Sequence, residues 1–301
     1  MSTRIACTIA LPQGFRHQDV LAFHRRDAQQ VAERVEAAAL HKGLAWGGHP
    51  ACLSMHFDHA IAEVALAVDG PVAPDTAALE RMARRMLGLT QAVERFEHEY
   101  AGHPLLGGLI AANAGLRVPQ TATPFEALTW AITGQQISVT AAVSVRRQLI
   151  HAAGQRHGGG LYCYPDASRI ARLSEDDLRS AGFSRTKART LLSLSEMVAQ
   201  GELPLDDWAD APPVDIIRSR LMAVRGIGPW TVSYTLLRGY AALDGSLHGD
   251  VAVRNKLQLL LDLPKRVSEA ETERWLAQFA PWRALVAAHL WAMGSSAALI
   301  A

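Results

Sequence analysis

A short glycine-rich turn is the segment of this sequence best suited to bind an anion. It runs from Gly226 to Gly228, and Pro229 and Trp230 follow it directly. Glycines let a ligand approach the main chain closely. Proline is favoured at the first position of a helix, so the next helix starts here with its positive end at the turn. A DNA phosphate suits such a site, although a turn of this kind can also simply connect two helices. The Lys-Ser/Thr pair of a nucleotide P-loop is missing here.

A carboxylate follows the turn further along the chain. Asp250 ends the polar loop "DGSLHGD" and precedes "VAVRNKLQLLL", which has a helical pattern. Aspartate is among the best helix N-cap residues, so capping is the simplest interpretation of this position. A cap also holds a carboxylate in one place, and Asp250 is therefore compatible with a chemical role as well.

Composition limits the class of protein. The chain has 301 residues, of which 49% are hydrophobic and 20% charged, and its formal net charge is +1. These values are typical of a globular protein and exclude an evenly basic coat, but not a local basic face. Cys7, Cys52 and Cys163 lie far apart, so neither a zinc knuckle nor a four-cysteine iron–sulfur cluster is expected.

No membrane or export signal is evident in the sequence. The first residues lack the apolar core of a signal peptide, and no stretch reaches 18 uncharged apolar residues. We therefore expect a cytoplasmic protein.

Two regions of different secondary structure position the turn and the aspartate. Period-two alternation in "LSMHFD" and "VALAV" predicts antiparallel strands, and "RIACTIAL" predicts another. "DVLAFHRRDA" and "TAALERMARRMLGL" have helical patterns. The fold class is therefore predicted to be α+β and mostly α. A small antiparallel β domain is expected over residues 1–90 and a helical region over 91–301, with a helix–hairpin–helix at about 214–239.

Capping patterns place several helix starts. Thr123, Pro124 and Glu126 predict a capping box at the start of "TPFEALTWAITGQQISVTAAV". Ser174 and Asp177 predict a second one. The last helical stretch is expected to break in two at Pro281.

Several segments together resemble a known family. They are "VRGIGPWTVSYTLLRG" with "LHGDVAVR", "TPFEALTWAITGQQISVTAA", "GFSRTKARTLLSLSEMVAQGEL" and "PWRALVAAHLW". The combination resembles the helix–hairpin–helix DNA glycosylases, and among them the alkylation-repair type, 3-methyladenine DNA glycosylase II. The resemblance covers roughly residues 100 to 300 and is fainter over the first 90, where the order of elements still fits that family's N-terminal β domain.

The resemblance implies roles for individual side chains. Asp250 matches the catalytic aspartate, and Trp230, Tyr234, Trp291 and Phe23 match aromatic residues that line the base pocket. Trp230 and Tyr234 are four residues apart, which places them on one helical face. Without the resemblance, all four aromatic residues would be assigned to the core.

The resemblance also implies the DNA contacts. Gly226 and Gly228 match phosphate-binding amides, and Gln135 and Gln136 lie in a turn that resembles a DNA-contacting one. Gln136 stands where the best-known member inserts a leucine into the base stack, and a glutamine there could instead hydrogen-bond the orphaned base. Glutamine is a departure from that pattern; the alternative is that Gln135 and Gln136 only end a helix. The family often holds a monovalent cation through hairpin carbonyls, here those of Met222, Val224 and Ile227.

Basic residues near these segments are candidates for phosphate contacts. Each could equally be a solvated surface charge. They are Arg185, Lys187, Arg189, Arg225, Arg254 and Lys256.

The function implied is hydrolytic excision of alkylated purines, such as 3-methyladenine and 7-methylguanine, from duplex DNA to leave an abasic site. Lyase relatives have a nucleophilic lysine where this chain has Trp230, so a monofunctional enzyme is expected. No metal or cofactor is required for the chemistry, the partner is double-stranded DNA, and a monomer is expected.

Other functions remain open at this level. The first is a glycosylase of the same fold for hypoxanthine or an oxidised purine. The second is a non-catalytic helix–hairpin–helix DNA-binding module, which has no use for Asp250. The third is a sensor of alkylation, which would need a reactive thiol; no cysteine lies near the hairpin in sequence.

Overall fold

A five-stranded antiparallel sheet forms the N-terminal part of the protein. The computed structural model describes residues 2–294. In spatial order the strands run β1-β5-β4-β3-β2. They are β1 Thr3–Ala10, β2 Glu33–Val35, β3 Ala39–Trp46, β4 His49–Phe57 and β5 Ile61–Val68.

Alternating side chains explain why this sheet has one buried face. In β4, Leu53, Met55 and Phe57 point inward and are buried.

Gly47 and Gly48 join β3 to β4, and both have positive φ, at 56° and 79°. Because L residues rarely adopt such angles, the glycines permit the tight hairpin.

Two helices belong to the sheet region. Helix α1, His17–His24, follows β1, and helix α2, Thr76–Met86, follows β5. Buried Leu79, Met82 and Met86 of α2 join the same core as the inward faces of the strands. The predicted strands and these two predicted helices are confirmed.

The rest of the described chain is helical, so the predicted α+β, mostly α fold class is confirmed. After β5, the described chain forms helices and connecting loops and no further strand. The helices are α3 Val93–Tyr100, α4 Leu106–Ala112, α5 Pro124–Gly134, α6 Val139–Ala153, α7 Ala167–Ile170, α8 Glu175–Ser180, α9 Arg185–Ala199, α10 Val214–Met222, α11 Pro229–Tyr240, α12 Val251–Leu260, α13 Glu269–Ala277 and α14 Arg283–Ala292.

Helices α5 and α11 lie side by side between two hydrophobic cores. One core is built with α12 to α14, and the other with α6 to α10. Each central helix contributes to both, as Tyr234 and Leu236 of α11 illustrate. A Cβ at Gly239 would lie 3.0 Å from the Cα of Pro124, so glycine allows the two helices to approach closely. The hairpin is thereby held against α5.

One predicted capping box is confirmed and the other is wrong in part. Ser174 and Asp177 cap each other's main chain as expected. The hydroxyl of Thr123 accepts from the amide of Glu126 at 3.1 Å, but the Glu126 side chain turns inward instead of back to Thr123. Its carboxylate accepts from Lys42 Nζ at 2.7 Å, because a buried cation on β3 needs a buried anion.

Among residues 2–294, no helix combines the length and the apolar composition needed to cross a membrane.

Candidate active site

The hairpin between α10 and α11 contains two glycines whose surroundings differ. Gly226 has a φ of +92°, and a Cβ there would lie 2.2 Å from the Thr190 hydroxyl oxygen. That hydroxyl donates to the carbonyl of Arg225 at 2.9 Å and so ties α9 to the hairpin. Gly228 is the N-cap of α11 with φ −112°, an angle open to any residue. A Cβ at Gly228 would point into open space.

Two main-chain amides of the hairpin are candidates for binding an anion. Within the described part of the chain, the main-chain N–H groups of Gly226 and Gly228 donate to no protein acceptor. The Ile227 amide donates to the carbonyl of Val224 at 3.1 Å and closes the turn. Because α11 starts immediately afterwards, its positive end adds to the two amide donors.

Asp250 is the N-cap of α12, and three N–H groups converge on its carboxylate. The Val253 amide donates to Oδ1 at 3.0 Å, which is the capping contact. The indole Nε1 of Trp230 donates to Oδ2 at 2.9 Å, and that of Trp291 donates to Oδ1 at 3.4 Å. The simple capping interpretation is therefore correct, and the cap also fixes a half-buried carboxylate beside aromatic rings.

The predicted aromatic residues lie together next to this carboxylate. The ring centroids of Trp230 and Tyr234 are 5.3 Å apart, and those of Tyr234 and Trp291 are 6.5 Å apart. The hydroxyl of Tyr234 accepts from the indole of Trp130 on α5 at 2.9 Å. Tyr234 and Trp291 are also core residues, so the core and pocket interpretations are compatible.

Phe23 reaches this cluster from helix α1 of the sheet region. The guanidinium carbon of Arg238 lies 4.5 Å from the Phe23 ring centroid, 5.9 Å from that of Tyr234 and 5.6 Å from that of Trp291. Arg26 lies 4.3 Å from the Phe23 centroid and 5.2 Å from that of Trp130. The aromatic cluster thus has two arginines as close neighbours.

Arg238 is fully buried, and its pKa is lowered to about 10 by burial; Tyr234 acts to raise this pKa, and the charge of Arg26 acts to lower it. The side chain remains cationic at neutral pH. Its Nη1 donates to the carbonyl of Pro119 at 3.0 Å, which anchors the guanidinium.

The segment "GQQIS" forms the exposed turn between α5 and α6. Gln135 is the C-cap of α5, and its side-chain amide donates to the Gly226 carbonyl at 3.0 Å and to the Thr231 hydroxyl at 2.9 Å. Gln135 therefore joins the turn to the hairpin. Gln136 has a φ of +57° and is exposed, next to Ile137, which is 40% exposed.

The basic candidates divide into engaged and exposed side chains. Lys187 Nζ donates to the carbonyls of Thr133 and Gln135, at 2.8 and 2.6 Å, and Lys256 Nζ donates to that of Met293 at 2.6 Å. Both ammonium groups bind ends of helices, because carbonyls there lack helical donors. They are therefore structural in this conformation.

The arginines lie nearer the surface. Arg185 and Arg189 both pair with Glu175, at 3.4 and 2.8 Å. Arg254 lies 3.7 Å from Glu269, and Arg225 at the hairpin is exposed.

Family comparisons agree with this arrangement. A model of the "HhH-GPD superfamily base excision DNA repair protein" family matches residues 129–281, which include the hairpin and Asp250. The chain belongs to the HhH-GPD superfamily of base excision DNA repair proteins. A second family model, the AlkA N-terminal domain, matches residues 8–123. The predicted family is therefore confirmed.

Individual relatives in this superfamily are DNA-3-methyladenine glycosylases by name. The chain is 29% identical over 188 residues to DNA-3-methyladenine glycosylase 2 of Escherichia coli, covering 62% of this chain and 63% of that protein. It is 28% identical over 180 residues to a DNA-3-methyladenine glycosylase of Bacillus subtilis, covering 59% of each chain. These matches span about three fifths of the relatives' lengths.

The overall fold also matches a solved structure. The 3-methyladenine DNA glycosylase of Archaeoglobus fulgidus superposes with a TM-score of 0.78 at 19% identity, covering 94% of this chain and 96% of that one. At this identity the match establishes a shared fold over nearly the whole length of both chains.

Sequence reasoning missed three residues of the site. Arg238 follows Trp230 and Tyr234 at the same four-residue spacing, so the helical stripe could have been extended by one turn to find it. Trp130 and Arg26 gave no local signal, because only the packing of α5 and α1 against α11 brings them to the cluster.

Proposed function

We propose that this protein is a monofunctional DNA glycosylase that hydrolyses the N-glycosidic bond of alkylated purines in duplex DNA and leaves an abasic site. The observation that carries the proposal is the carboxylate of Asp250, which three N–H donors hold at the edge of an aromatic cluster. A flipped nucleotide would place its base against the rings and its C1′ near the carboxylate.

The chemistry needs a fixed anion and little else. As the glycosidic bond breaks, positive charge develops on the sugar, and a preorganised carboxylate stabilises it. Asp250 would also orient the attacking water or accept its proton. In 3-methyladenine and 7-methylguanine the ring is already cationic, so the base leaves without prior protonation. No cofactor takes part in this scheme.

DNA binding is proposed to centre on Gly226 and Gly228. No residue among those described requires Gly228 to lack a side chain, since none has an atom within 4 Å of a Cβ placed there. Close approach of a phosphate to the amide explains the glycine. The exposed turn at Gln136 and Ile137 would then face the gap left by the flipped nucleotide, with Gln136 as the inserted side chain, and Arg225 would neutralise phosphate charge.

Arg254 is a weaker candidate for a phosphate contact, since Glu269 already lies 3.7 Å from it. Main-chain carbonyls of Met222, Val224 and Ile227 would hold a monovalent cation, which would add positive charge beside the phosphate. A single chain provides every group in this scheme, in keeping with a monomer.

The absence of lyase activity rests on Trp230. By its resemblance in sequence, this residue corresponds to the lysine of lyase relatives, and its indole donates a hydrogen bond to Asp250. An indole cannot form a Schiff base. Borohydride trapping with damaged or abasic DNA should give no covalent protein–DNA adduct; a trapped adduct would contradict this part of the proposal.

The deciding experiment compares the wild type with Asp250→Asn. Asparagine caps a helix about as well as aspartate, so the fold should be retained. We expect the wild type to release 3-methyladenine from methylated duplex DNA. The Asn variant should release it at least about 100-fold more slowly, which is the size of a lost electrostatic contact in a preorganised site.

Asp176→Asn is the matched control, because Asp176 is exposed at the start of α8. It should leave base release unchanged. Equal release by wild type and Asp250→Asn would remove Asp250 from its proposed role. Binding of damaged DNA without release of any base by the wild type would favour the non-catalytic module instead.

A further inference from the structure

Two guanidinium groups lie close to three of the four aromatic rings assigned to the base pocket, those of Phe23, Tyr234 and Trp291. Arg26 and Arg238 lie 4.3 and 4.5 Å from the centroid of the Phe23 ring. Arg238 also lies within 6 Å of Tyr234 and Trp291. Aromatic faces attract cations in this range of distance. The protein's own cations therefore already use the attraction that a cationic base would otherwise gain.

A cationic base would also be repelled. Like charges a few ångströms apart repel each other strongly when water is excluded, and Arg238 is fully buried. Burial and the charge of Arg26 both act to lower the pKa of Arg238, to about 10, so burial and this neighbouring charge already disfavour its charged form. Adding a third positive charge to the cluster would increase that cost.

A neutral purine with a carbonyl oxygen meets the opposite situation. An arginine side chain has five N–H donors and no acceptor, so a base edge beside it has to present acceptors. Arg238 is fully buried, so it acts on a bound base through its charge, whereas the half-buried Arg26 lies nearer the surface. A carbonyl oxygen, as on hypoxanthine, fits this environment.

The bond-breaking step distinguishes the two substrates further. When the bond between C1′ and a neutral purine breaks, the electron pair stays on the base, which leaves as an anion. Water adds its hydroxyl group to C1′, and its proton ends on the base. Guanidinium groups stabilise the negative charge that develops on such a leaving group. A cationic base leaves neutral, so the same groups give its departure no comparable help.

We propose that Arg26 and Arg238 are specificity-determining residues that favour neutral purine lesions with a carbonyl acceptor, such as hypoxanthine, over cationic alkylated purines. This inference rests on the proposed glycosylase function. It ranks neutral purine lesions above the alkylated purines proposed there, which the enzyme would still release more slowly. It assigns the preference to the charge of the two side chains and not to the shape of the pocket.

The test measures single-turnover release of two bases from duplexes of one sequence. One duplex carries hypoxanthine and the other 7-methylguanine at the same position. Both bases have a carbonyl at C6, and 7-methylguanine also carries a 2-amino group and a 7-methyl group. Each variant's release ratio is therefore compared with that of the wild type, so these fixed structural differences cancel. In Arg26→Gln the ratio of hypoxanthine to 7-methylguanine release should fall about tenfold or more, as the loss of one close charge implies. Arg26→Lys, which keeps the charge, should retain most of the ratio.

Arg25→Gln is the matched control, since Arg25 is the exposed neighbour of Arg26 in sequence. It should leave the ratio unchanged. Arg238→Gln should lower the ratio as well; if this buried change unfolds the protein, the two Arg26 variants alone decide the question.

The outcomes separate this inference from the function on which it rests. Release of both bases with an unchanged ratio in a folded Arg26→Gln variant would overturn the inference and leave the glycosylase function intact. Release of 7-methylguanine but not hypoxanthine by the wild type would do the same. Release of neither base from DNA that the protein binds would overturn both.

Discussion

The indole N–H of Trp230 donates to Oδ2 of Asp250 at 2.9 Å. This contact joins the hairpin to the start of α12, because Trp230 lies in the first turn of α11 and Asp250 caps α12. The same carboxylate receives the Trp291 indole at a longer 3.4 Å. An aromatic residue that the sequence assigns to the pocket wall therefore also orients the proposed catalytic group.

Trp230→Phe should slow base release with little change in fold. Phenylalanine keeps an aromatic ring beside Tyr234 but removes the donor to Asp250. Hydrogen bonds to charged groups contribute about 1.5–3 kcal/mol, which corresponds to roughly a ten- to hundredfold slower single-turnover rate. The rate and the thermal midpoint of unfolding should be measured together.

Trp291→Phe provides a graded comparison. Its donor distance is 3.4 Å and not 2.9 Å, so the weaker hydrogen bond should give a smaller loss of rate. A larger effect at Trp291 than at Trp230 would contradict the assignment of the shorter contact as the orienting one.

The two glycines of the hairpin should respond differently to alanine. Gly228→Ala should leave the free energy of unfolding nearly unchanged, because a Cβ there meets open space, but should weaken DNA binding. Gly226→Ala should destabilise the fold by about 1 kcal/mol or more, since its φ is +92° and the Thr190 hydroxyl is only 2.2 Å from a Cβ. Urea unfolding and DNA titration at fixed salt measure both quantities. Unchanged DNA affinity in Gly228→Ala would argue against a phosphate at this amide.

Stability should fall as the pH drops below 6.5, with His289 as one cause. Burial, aided by the charge of Arg16, lowers the pKa of His289 to about 4 from 6.5. Above pH 6.5 the imidazole is neutral in both states. Between 6.5 and 4 the unfolded chain binds a proton that the folded state does not, so His289 should reduce the free energy of unfolding by about 3 kcal/mol.

His289→Phe should flatten this pH dependence, because it keeps an aromatic ring against Phe96, whose centroid lies 5.3 Å away, without a titrating group. His98→Gln is the control, since His98 is exposed. Urea unfolding between pH 7.5 and 4.5 tests this. If wild type and His289→Phe lose stability in parallel, the imidazole is not the source of the slope.

Lys42→Met should strongly destabilise the contact between the sheet and helix α5. Lys42 is fully buried and donates to Glu33 at 2.6 Å and to Glu126 at 2.7 Å. Burial acts to raise the pKa of Glu33, but the charges of Arg146 and Lys42 hold it well below its usual range. Without the Lys42 cation, the two buried carboxylates share one guanidinium, that of Arg146. Removing one partner of a buried ion pair lowers the free energy of unfolding by about 3–5 kcal/mol.

A double variant separates charge from packing in this prediction. Lys42→Met combined with Glu126→Gln restores charge balance with Arg146 and Glu33. Its free energy of unfolding should lie above the value obtained by adding the two single effects. Strict additivity would indicate that the ion cluster is not coupled.

Much of the architecture could be predicted because local chemistry determines it. Alternation in β4 and β5 and the Ser174 cap depend on neighbouring residues alone, and each was found where the pattern indicated. The predicted return contact from Glu126 to Thr123 is wrong, although both residue types suit a capping box. Lys42, far away in sequence, offers the Glu126 carboxylate a buried opposite charge instead. A long-range ion pair thus overrode a local preference.

Local spacing is enough to predict the hairpin, its Gly-x-Gly turn, the capping position of Asp250 and the shared helical face of Trp230 and Tyr234. These depend on spacing along one or two helices. Spacing does not predict that both indoles donate to Asp250, that Gln135 joins its turn to the hairpin, or that Arg26 and Arg238 lie against Phe23. Those contacts join elements far apart in the chain, so they follow from the packing of α1, α5 and α14 around α11 and from no local pattern.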